Sequence, residues 1–255
     1  MMAMASRDAA ADPRPAPELP VSYSRWRGSR LGRITDALEQ RLVLDLADPV
    51  DRADVLDLGC GDGALACALA RRGATVTGLD ADPRMLVAAQ ARAEAEAVAL
   101  DLVHARAEAL PFPDGAFDRV VAITVLCFIQ EADRAVAEMA RVLRPGGRLV
   151  IGELGRWSVW AAIRRVRGWL GAPTWRAARF RGAGELSSLL QRHGLEVGEP
   201  RGAIFYPPCG LAASLMASSD PWLGRHMPVG AAFIVVPADK PASGAAAGRT
   251  RPSHP

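Results

Sequence analysis

The stretch Val55-Leu56-Asp57-Leu58-Gly59-Cys60-Gly61-Asp62-Gly63 decides the fold of this chain. The apolar residues before Gly59 form a short run that is typical of a buried strand in a parallel sheet. The three glycines predict a tight turn in which a ligand lies against the backbone, because glycine has no Cβ and tolerates positive φ. The alanine-rich run over 64–70 then predicts a helix whose first N–H groups point into the same crevice.

A second strand, predicted over 74–79, ends in Asp80. A carboxylate at this strand end lies beside the crevice, where it can accept hydrogen bonds from a ribose diol. The spacing from Asp57 to Asp80 fits one strand–helix–strand unit. Nicotinamide-dependent oxidoreductases share a glycine turn and an acid of this kind, so that reaction class is an alternative. The G-x-G-x-G spacing of this turn differs from their G-x-G-x-x-G pattern and argues against it.

Four segments in order along the chain resemble the motifs of class I S-adenosylmethionine-dependent methyltransferases. They are Val55–Gly63, Thr77–Leu86, Ala107–Asp118 and Arg141–Leu149. The chain is most similar to the methyltransferase type 11 group, which includes quinone-biosynthesis C-methyltransferases, and the resemblance covers roughly residues 53–153. It implies S-adenosylmethionine as cofactor and transfer of its methyl group, by in-line displacement, to a small or lipid-like acceptor. No nucleic-acid partner and no metal ion are expected.

The resemblance also implies which residues bind the cofactor. Asp57 would orient its ammonium group directly or through water, Asp80 would accept both ribose hydroxyls, and Ala81 would lie against the adenine. The backbone N–H of Ala107 would bond an adenine ring nitrogen. The complete predicted set is Asp57, Gly59, Cys60, Gly61, Asp80, Ala81, Arg106, Ala107 and Thr124.

Arg106 departs from the family pattern. Relatives commonly carry Asp at this position, where its carboxylate receives the adenine amino group. Arginine only donates hydrogen bonds, so Arg106 cannot take over that contact, although its guanidinium can stack on the ring. This departure makes a third hypothesis reasonable, namely a methyltransferase-like protein that binds the cofactor without catalysis.

The acceptor side offers no catalytic residue. The turn 124–129 follows the predicted fourth strand and, by resemblance, faces the reacting methyl group, but it lacks the His pair of many relatives. Methyl transfer from a sulfonium mainly needs alignment, and a general base is needed only if the acceptor must lose a proton. His104 and His193 are interpreted as structural, and Cys127 is a weak candidate for a nucleophile.

Alternating patterns along the chain predict an α/β fold. Helices are predicted over 31–47, 82–96, 131–143 and 185–193, and strands over 98–103, 118–123, 148–153, 195–197 and 231–236. Together with the first two strands they predict a Rossmann-like, doubly wound and mostly parallel seven-stranded sheet flanked by helices, with a hairpin-like pair at its end.

The ends of the chain differ from this core. Residues 1–20 and 238–255 are rich in Ala, Pro, Arg and Ser without periodicity, which predicts a disordered leader and a disordered tail around a domain of residues 21–237. Tyr23 and Trp26 precede the first helix. They either fold over the cofactor or cover the edge of the core, and the sequence favours neither interpretation.

The segment 155–182 combines seven arginines with four tryptophans. Val159, Ile163, Val166 and Leu170 share one helical face of it. We interpret the segment as a lid or cap insertion over the acceptor pocket. The alternatives are an amphipathic helix in peripheral contact with a membrane, and an RNA-binding patch, which no recognisable RNA-binding motif supports.

Composition places few further limits on function. The net charge is +3, and Lys240 is the only lysine among 31 basic residues, which indicates base-composition bias rather than an anionic partner. The four cysteines lack disulfide or metal spacing, and no apolar run is long enough to span a membrane. A reducing cytoplasm is therefore expected.

Overall fold

The computed structural model describes residues 26–242, so Tyr23, the predicted leader and residues 243–255 lie outside the described part. The strands are β1 (Asp54–Leu58), β2 (Thr75–Asp80), β3 (Asp101–His104), β4 (Phe117–Ile123), β5 (Leu143–Leu154), β6 (Glu196–Val197), β7 (Arg201–Ala203) and β8 (Phe233–Asp239). The helices are α1 (Arg30–Ala47), α2 (Ala64–Ala70), α3 (Pro83–Ala95), α4 (Ala132–Val142), α5 (Val159–Trp169), α6 (Pro173–Ala177), α7 (Ala183–Arg192), α8 (Gly210–Met216) and α9 (Asp220–His226).

The strands form one sheet in the order β3-β2-β1-β4-β5-β8-β6, with β7 also paired to β8. Strands β1 to β5 are parallel, and β8 runs antiparallel to β5. This confirms the predicted doubly wound, mostly parallel fold. The eighth strand arises because the chain beside β8 is divided into β6 and β7 around Pro200, which has no N–H to donate to a ladder.

Side chains of successive strand residues pack on opposite faces of the sheet. Leu56 and Val120 belong to the core beneath α4 and α7, whereas Val55 and Val121 belong to the core beneath α1 and α2. Since both faces are covered, the buried positions of the central strands are almost all apolar. Asp57 is the buried exception in β1, with only 2% of its surface exposed.

Two segments stand over the carboxyl edge of the sheet. Residues 155–182 leave β5 there, and we call them the first cap segment. Residues 204–232 connect β7 to β8, and because Leu154 and Ala203 both pair with Phe233, this second cap segment begins and ends at the same edge. The sequence did not predict helices α8 and α9 within it.

The first cap segment is a helical hairpin whose apolar face points outward. Val159, Val166 and Leu170 are exposed, while Trp160 is buried and donates its Nε1–H to the Tyr206 carbonyl over 2.8 Å. The guanidinium of Arg164 lies between the rings of Trp160 and Trp175, at 5.2 and 5.0 Å. Packing therefore buries the side of α5 that carries Trp160 rather than the aliphatic face that the sequence pattern marked.

The described parts of the two chain ends belong to the domain. Trp26 packs against the core edge beneath α1. At the other end β8 continues to Asp239, and the Lys240 ammonium donates to the carbonyls of Ala140 and Leu143, both at 2.7 Å. The prediction of a disordered tail from residue 238 was therefore wrong for its first residues, because they complete the sheet.

Candidate functional site

The carboxyl ends of β1, β2 and β4 meet where the strand order reverses direction. The glycine turn 59–63 follows β1, Asp80 ends β2, and Thr124 follows β4. Open α/β sheets bind ligands in the crevice at this switch point. The structure thus places the predicted residues from three separated segments around one crevice.

The Asp80 carboxylate accepts backbone hydrogen bonds from the glycine turn after β1 and from the chain that follows β2. Its Oδ2 accepts the N–H of Gly61 at 2.9 Å, and its Oδ1 accepts the N–H of Asp82 at 2.9 Å. Each carboxylate oxygen has a further lone pair, so the group can also accept hydrogen bonds from a diol. The contacts fix the carboxylate before any ligand arrives.

The three glycines of the turn serve two different purposes, although the sequence suggested one. All have positive φ, but a Cβ at Gly59 would lie 2.3 Å from a Val125 methyl, and one at Gly63 would lie 2.9 Å from the Ala89 Cβ. A Cβ at Gly61 would meet no described atom within 4 Å. Gly59 and Gly63 therefore admit neighbouring protein, while only Gly61 borders open space.

Asp57 is a buried acid behind the glycine turn. Its Oδ2 has no hydrogen-bond partner among the described residues. Burial, together with the nearby Asp80 charge, raises the pKa of Asp57 to about 7. An ammonium group placed beside it, directly or through water, would favour the ionised form and supply the missing partner.

We expect the affinity for S-adenosylhomocysteine to rise with pH because of Asp57. With a free-state pKa of about 7, roughly nine-tenths of Asp57 is protonated at pH 6, and binding of the ammonium group must expel that proton. Calorimetric titration should show about tenfold tighter binding at pH 8 than at pH 6. Asp57→Asn should abolish this dependence, and an equal dependence in that variant would contradict the assignment.

Asp62 anchors the glycine turn through two arginines that sequence reasoning missed. The Nη1 of Arg27 donates to its Oδ1 at 2.8 Å, and the Nη2 of Arg92 donates to its Oδ2 at 2.7 Å. Arg92 also donates to the Asp62 carbonyl at 2.9 Å. Since Arg27 precedes α1 and Arg92 lies in α3, no local pattern indicates that they converge.

The predicted adenine side of the crevice lies at the ends of β2 and β3. Ala81 is exposed at the rim, where its carbonyl lies 3.0 Å from the His104 Nε2, and Ala107 is buried. The Arg106 side chain is 57% exposed, with its Nη2 3.2 Å from the Glu108 Oε1. His104 therefore has a structural contact, as the sequence suggested.

We expect Arg106→Asp to keep or improve the affinity for S-adenosylhomocysteine. The substitution supplies an acceptor for the adenine amino group, and the exposed ion pair with Glu108 contributes at most about 1 kcal/mol to folding. Calorimetry should show equal or severalfold tighter binding, and Arg106→Ala separates loss of arginine from gain of a carboxylate. A large loss in both variants would mean that Arg106 has its own binding role.

The turn after β4 is held in a strained conformation by a buried acid. Thr124 has a φ of 56°, which is rare for a β-branched residue. Glu153, fully buried at the end of β5, accepts the N–H groups of Val125 at 3.1 Å and Leu126 at 2.7 Å on a single oxygen. Burial raises the pKa of Glu153 to about 7.

We expect Glu153→Ala to destabilise the protein by about 2–4 kcal/mol, because two buried N–H groups lose their acceptor and a cavity forms. Glu153→Gln keeps a carbonyl oxygen for both donors and should cost much less. Denaturant unfolding at pH 6, below the raised pKa, compares neutral side chains in wild type and Gln variant. Equal losses in the two variants would show that these hydrogen bonds do not hold the turn.

The thiols near the crevice are poor nucleophiles. Burial and the Glu153 charge raise the pKa of Cys127 well above its usual value, and burial, followed by the charge of Asp57, raises the pKa of Cys60. Both therefore stay protonated near neutral pH. His193 lies at the end of α7 with its Nε2 3.3 Å from Asp133 Oδ2, away from the crevice residues in the fold.

The crevice fits the cofactor that the family resemblance implies. It combines a buried Asp57 oxygen, Oδ2, that has no partner among the described residues, a pre-positioned carboxylate at Asp80 and open space over Gly61. These groups match an ammonium, a ribose diol and a closely approaching chain.

Comparison with known proteins agrees with this geometry. The profile of a family described as "Methyltransferase domain" matches residues 56–151. A demethylmenaquinone methyltransferase of Thermus thermophilus is 43% identical over 114 residues, which are 44% of this chain and 52% of that protein. A ubiquinone biosynthesis O-methyltransferase of Roseobacter denitrificans is 33% identical over 185 residues, 70% of this chain and 75% of that protein.

These relatives are matched to different extents. The chain spans about half the length of the Thermus protein and three-quarters of the Roseobacter protein. Among solved structures, an S-adenosylmethionine-dependent methyltransferase from Thermotoga maritima has a TM-score of 0.66 at 22% identity, over 86% of this chain and 95% of that one. That likeness supports the fold alone.

Proposed function

The chain belongs to the class I S-adenosylmethionine-dependent methyltransferases, and from this premise we propose that it binds S-adenosylmethionine and transfers its methyl group to a small, lipid-like acceptor. The observation that carries the proposal is the contact of Asp80 with the Gly61 N–H, which presents a fixed carboxylate beside open space over the glycine turn. The cofactor, when bound, supplies an electrophilic methyl group on a sulfonium.

The residues of the chain contribute alignment in this proposal. Asp80 fixes the ribose, Asp57 fixes the ammonium group, and the turn held by Glu153 forms the wall on the acceptor side. A displacement at carbon needs the attacking atom and the leaving sulfur in line, and holding two reactants in line lowers the barrier without acid–base chemistry. No side chain is assigned as a general base.

The proposed acceptor is a quinone-type ring with an apolar chain. Two relatives at 43% and 33% identity carry names of demethylmenaquinone and ubiquinone biosynthesis enzymes. The exposed apolar side chains of the first cap segment, with Trp169 82% exposed, favour contact with such a molecule or with the membrane that holds it. None of the helices among residues 26–242 has both the length and the apolar character to cross a bilayer.

A cytoplasmic location is part of the same proposal. All four cysteines are free thiols in the structure, and Cys209 is exposed. Exposed free thiols persist in a reducing compartment. Contact with a membrane, where it occurs, would then be peripheral and on the cytoplasmic side.

Calorimetric titration with S-adenosylhomocysteine, with NADH titrated in parallel, tests the cofactor. We expect saturable binding of S-adenosylhomocysteine alone. Binding of NADH alone would overturn the methyltransferase proposal in favour of an oxidoreductase. Binding of neither would indicate a degenerate site, and Arg106→Asp would be the first reversion to examine.

A methyl-transfer assay tests the acceptor. Purified protein is mixed with isotopically labelled S-adenosylmethionine and either a short-chain demethylmenaquinone or a catechol that carries a short isoprenoid chain. We expect label to appear in one of these products by mass spectrometry, and Asp80→Ala should abolish it. Cofactor binding without transfer to either probe would overturn the quinone-type acceptor and favour the non-catalytic alternative.

A further inference from the structure

A cationic pocket lies in the first cap segment, outside the cofactor crevice. It has a volume of about 720 Å³ and is bounded by α5, α6 and residues 178–185. Five arginines line it together with a single acid, Glu185. The arginines are Arg156, Arg165, Arg176, Arg179 and Arg181.

The single acid does not neutralise the pocket. Glu185 uses its Oε1 to accept from Arg156 Nη1 at 2.8 Å and its Oε2 to accept the Gly182 N–H at 2.7 Å. Within residues 26–242, no carboxylate lies within 4 Å of the other four guanidinium groups. Like charges that line one pocket repel one another, so an anion in the pocket would relieve the repulsion and accept charge-assisted hydrogen bonds.

Some of these guanidinium groups are held in place by the protein. Arg181 donates through Nη1 to the Leu126 carbonyl at 2.8 Å, and Arg165 donates through Nη2 to the Arg156 carbonyl at 3.1 Å. The Arg165 guanidinium also lies 5.3 Å from the centre of the Phe180 ring. Since each guanidinium has five N–H donors, most donors remain available to a ligand.

The pocket has aromatic walls and touches the acceptor side of the crevice. Trp169, Trp175 and Phe180 line it beside the arginines. The Arg179 N–H donates to the Cys127 carbonyl at 2.8 Å, so one wall is bonded to the turn after β4. A ligand there would have its anionic group among the arginines and its apolar part against aromatic rings.

We propose that this pocket binds a phosphate or carboxylate group on a molecule with an aromatic or apolar body. Two sources share this chemistry, namely a soluble organic phosphate or carboxylate and the headgroup of an anionic phospholipid. The anion site does not rest on the proposed function, because the quinone-type acceptor carries neither a phosphate nor a carboxylate group. The arginines bind and position the ligand and take no part in the methyl transfer.

Phenyl phosphate is a soluble probe with both features, and calorimetry measures its affinity. Arg176→Ala and Arg179→Ala should each weaken binding about tenfold, since each removes a charged donor that has no partner carboxylate. Arg167→Ala is the matched control, because Arg167 lies on the same helical hairpin but does not line the pocket. It should leave the affinity unchanged.

Vesicles distinguish the source of the anion. Sedimentation with phosphatidylcholine vesicles containing 30% phosphatidylglycerol is compared with pure phosphatidylcholine vesicles. If the pocket binds a lipid headgroup, binding of the protein to vesicles requires phosphatidylglycerol. This binding is then weaker in Arg176→Ala and Arg179→Ala but unchanged in Arg167→Ala. If phenyl phosphate binds with this pattern and vesicles do not, the ligand is a soluble anion, and the anion site stands in either case.

Two results would overturn the proposal. One is the absence of binding to both phenyl phosphate and the vesicles. The other is a loss of affinity in Arg167→Ala equal to that in Arg176→Ala and Arg179→Ala, which would indicate a general effect of net charge. Titration with S-adenosylhomocysteine on the same variants keeps this test separate from the proposed function. We expect all three variants to bind S-adenosylhomocysteine like wild type, whether or not the anion site exists.

Discussion

Replacing Asp80 by alanine is expected to weaken S-adenosylhomocysteine binding by about a hundredfold or more. The carboxylate would accept two charge-assisted hydrogen bonds from the ribose, each worth roughly 1.5–3 kcal/mol. The substitution also releases the N–H groups of Gly61 and Asp82, so the glycine turn loses the group that fixes it. Ligand contact and preorganisation are lost together, which makes this one of the largest expected effects.

A neighbouring carboxylate provides the control for Asp80→Ala. Asp82 caps α3 by accepting the Arg84 N–H at 3.0 Å. Asp82→Ala should therefore cost about 1 kcal/mol of folding free energy as a lost helix cap and leave the affinity unchanged. Circular dichroism and thermal unfolding report the fold of both variants. Unaltered S-adenosylhomocysteine binding in Asp80→Ala would remove the site assignment.

Local pattern was enough to predict the part of the fold that forms the crevice. The run before Gly59, the glycine turn and Asp80 all lie within one strand–helix–strand unit, and short-range periodicity determines such a unit. Pro83 at the start of α3 and the amphipathic helix α4 were visible for the same reason. The structure confirmed each element, with boundaries shifted by up to five residues, the most at the start of β5.

The first cap segment shows where local pattern fails. Val159, Val166 and Leu170 form a regular stripe, yet α5 buries Trp160 instead. The choice depends on the Tyr206 carbonyl, which accepts the Trp160 Nε1–H from 46 residues away, and on Trp175, which packs against Arg164. Partners this distant in sequence leave no periodic signal on the helix itself.

Buried acids at the carboxyl edge were also beyond sequence reasoning. Glu153 holds the turn of Thr124, and Asp220 accepts the N–H groups of Ile204 and Phe205 at 2.8 and 2.9 Å. Ile204, like Thr124, is β-branched with positive φ, at 66°. Each strained turn thus has its own carboxylate, which offsets a conformational cost of about 1–3 kcal/mol. A sequence does not tell which acids are buried, so neither role was predicted.

These two turns shape the carboxyl edge of an otherwise regular sheet. The turn of Thr124 begins one wall of the crevice, and the turn of Ile204 begins the second cap segment. Both depend on hydrogen bonds to carboxylates whose pKa values burial raises. Because their pKa values are raised in the folded protein, Glu153 and Asp220 contribute most to the free energy of unfolding at low pH. Their contribution diminishes as the pH rises through the folded-state pKa, which is about 7 for Glu153.

A methyl group added to the glycine turn is expected to have the second large effect on ligand affinity, and a matched control exists for it. Gly61→Ala is expected to weaken S-adenosylhomocysteine binding by about a hundredfold or more, since the new methyl group would occupy the open space where the ligand approaches the backbone. The free protein accommodates that methyl, because no described atom lies within 4 Å of it. The cost to folding is then only that of a left-handed alanine, about 1–2 kcal/mol.

Gly146→Ala isolates that backbone cost. Gly146 has a φ of 79°, compared with 54° at Gly61, and a Cβ there also meets no described atom within 4 Å. It lies within β5 between the pairs Leu143–Phe117 and Arg148–Arg119, at the opposite edge of the sheet from the crevice. Both variants should lose similar folding free energy in denaturant unfolding, while only Gly61→Ala loses affinity. Equal affinity losses would mean that strain, rather than occupied space, weakens binding, and wild-type affinity in Gly61→Ala would place the ligand elsewhere.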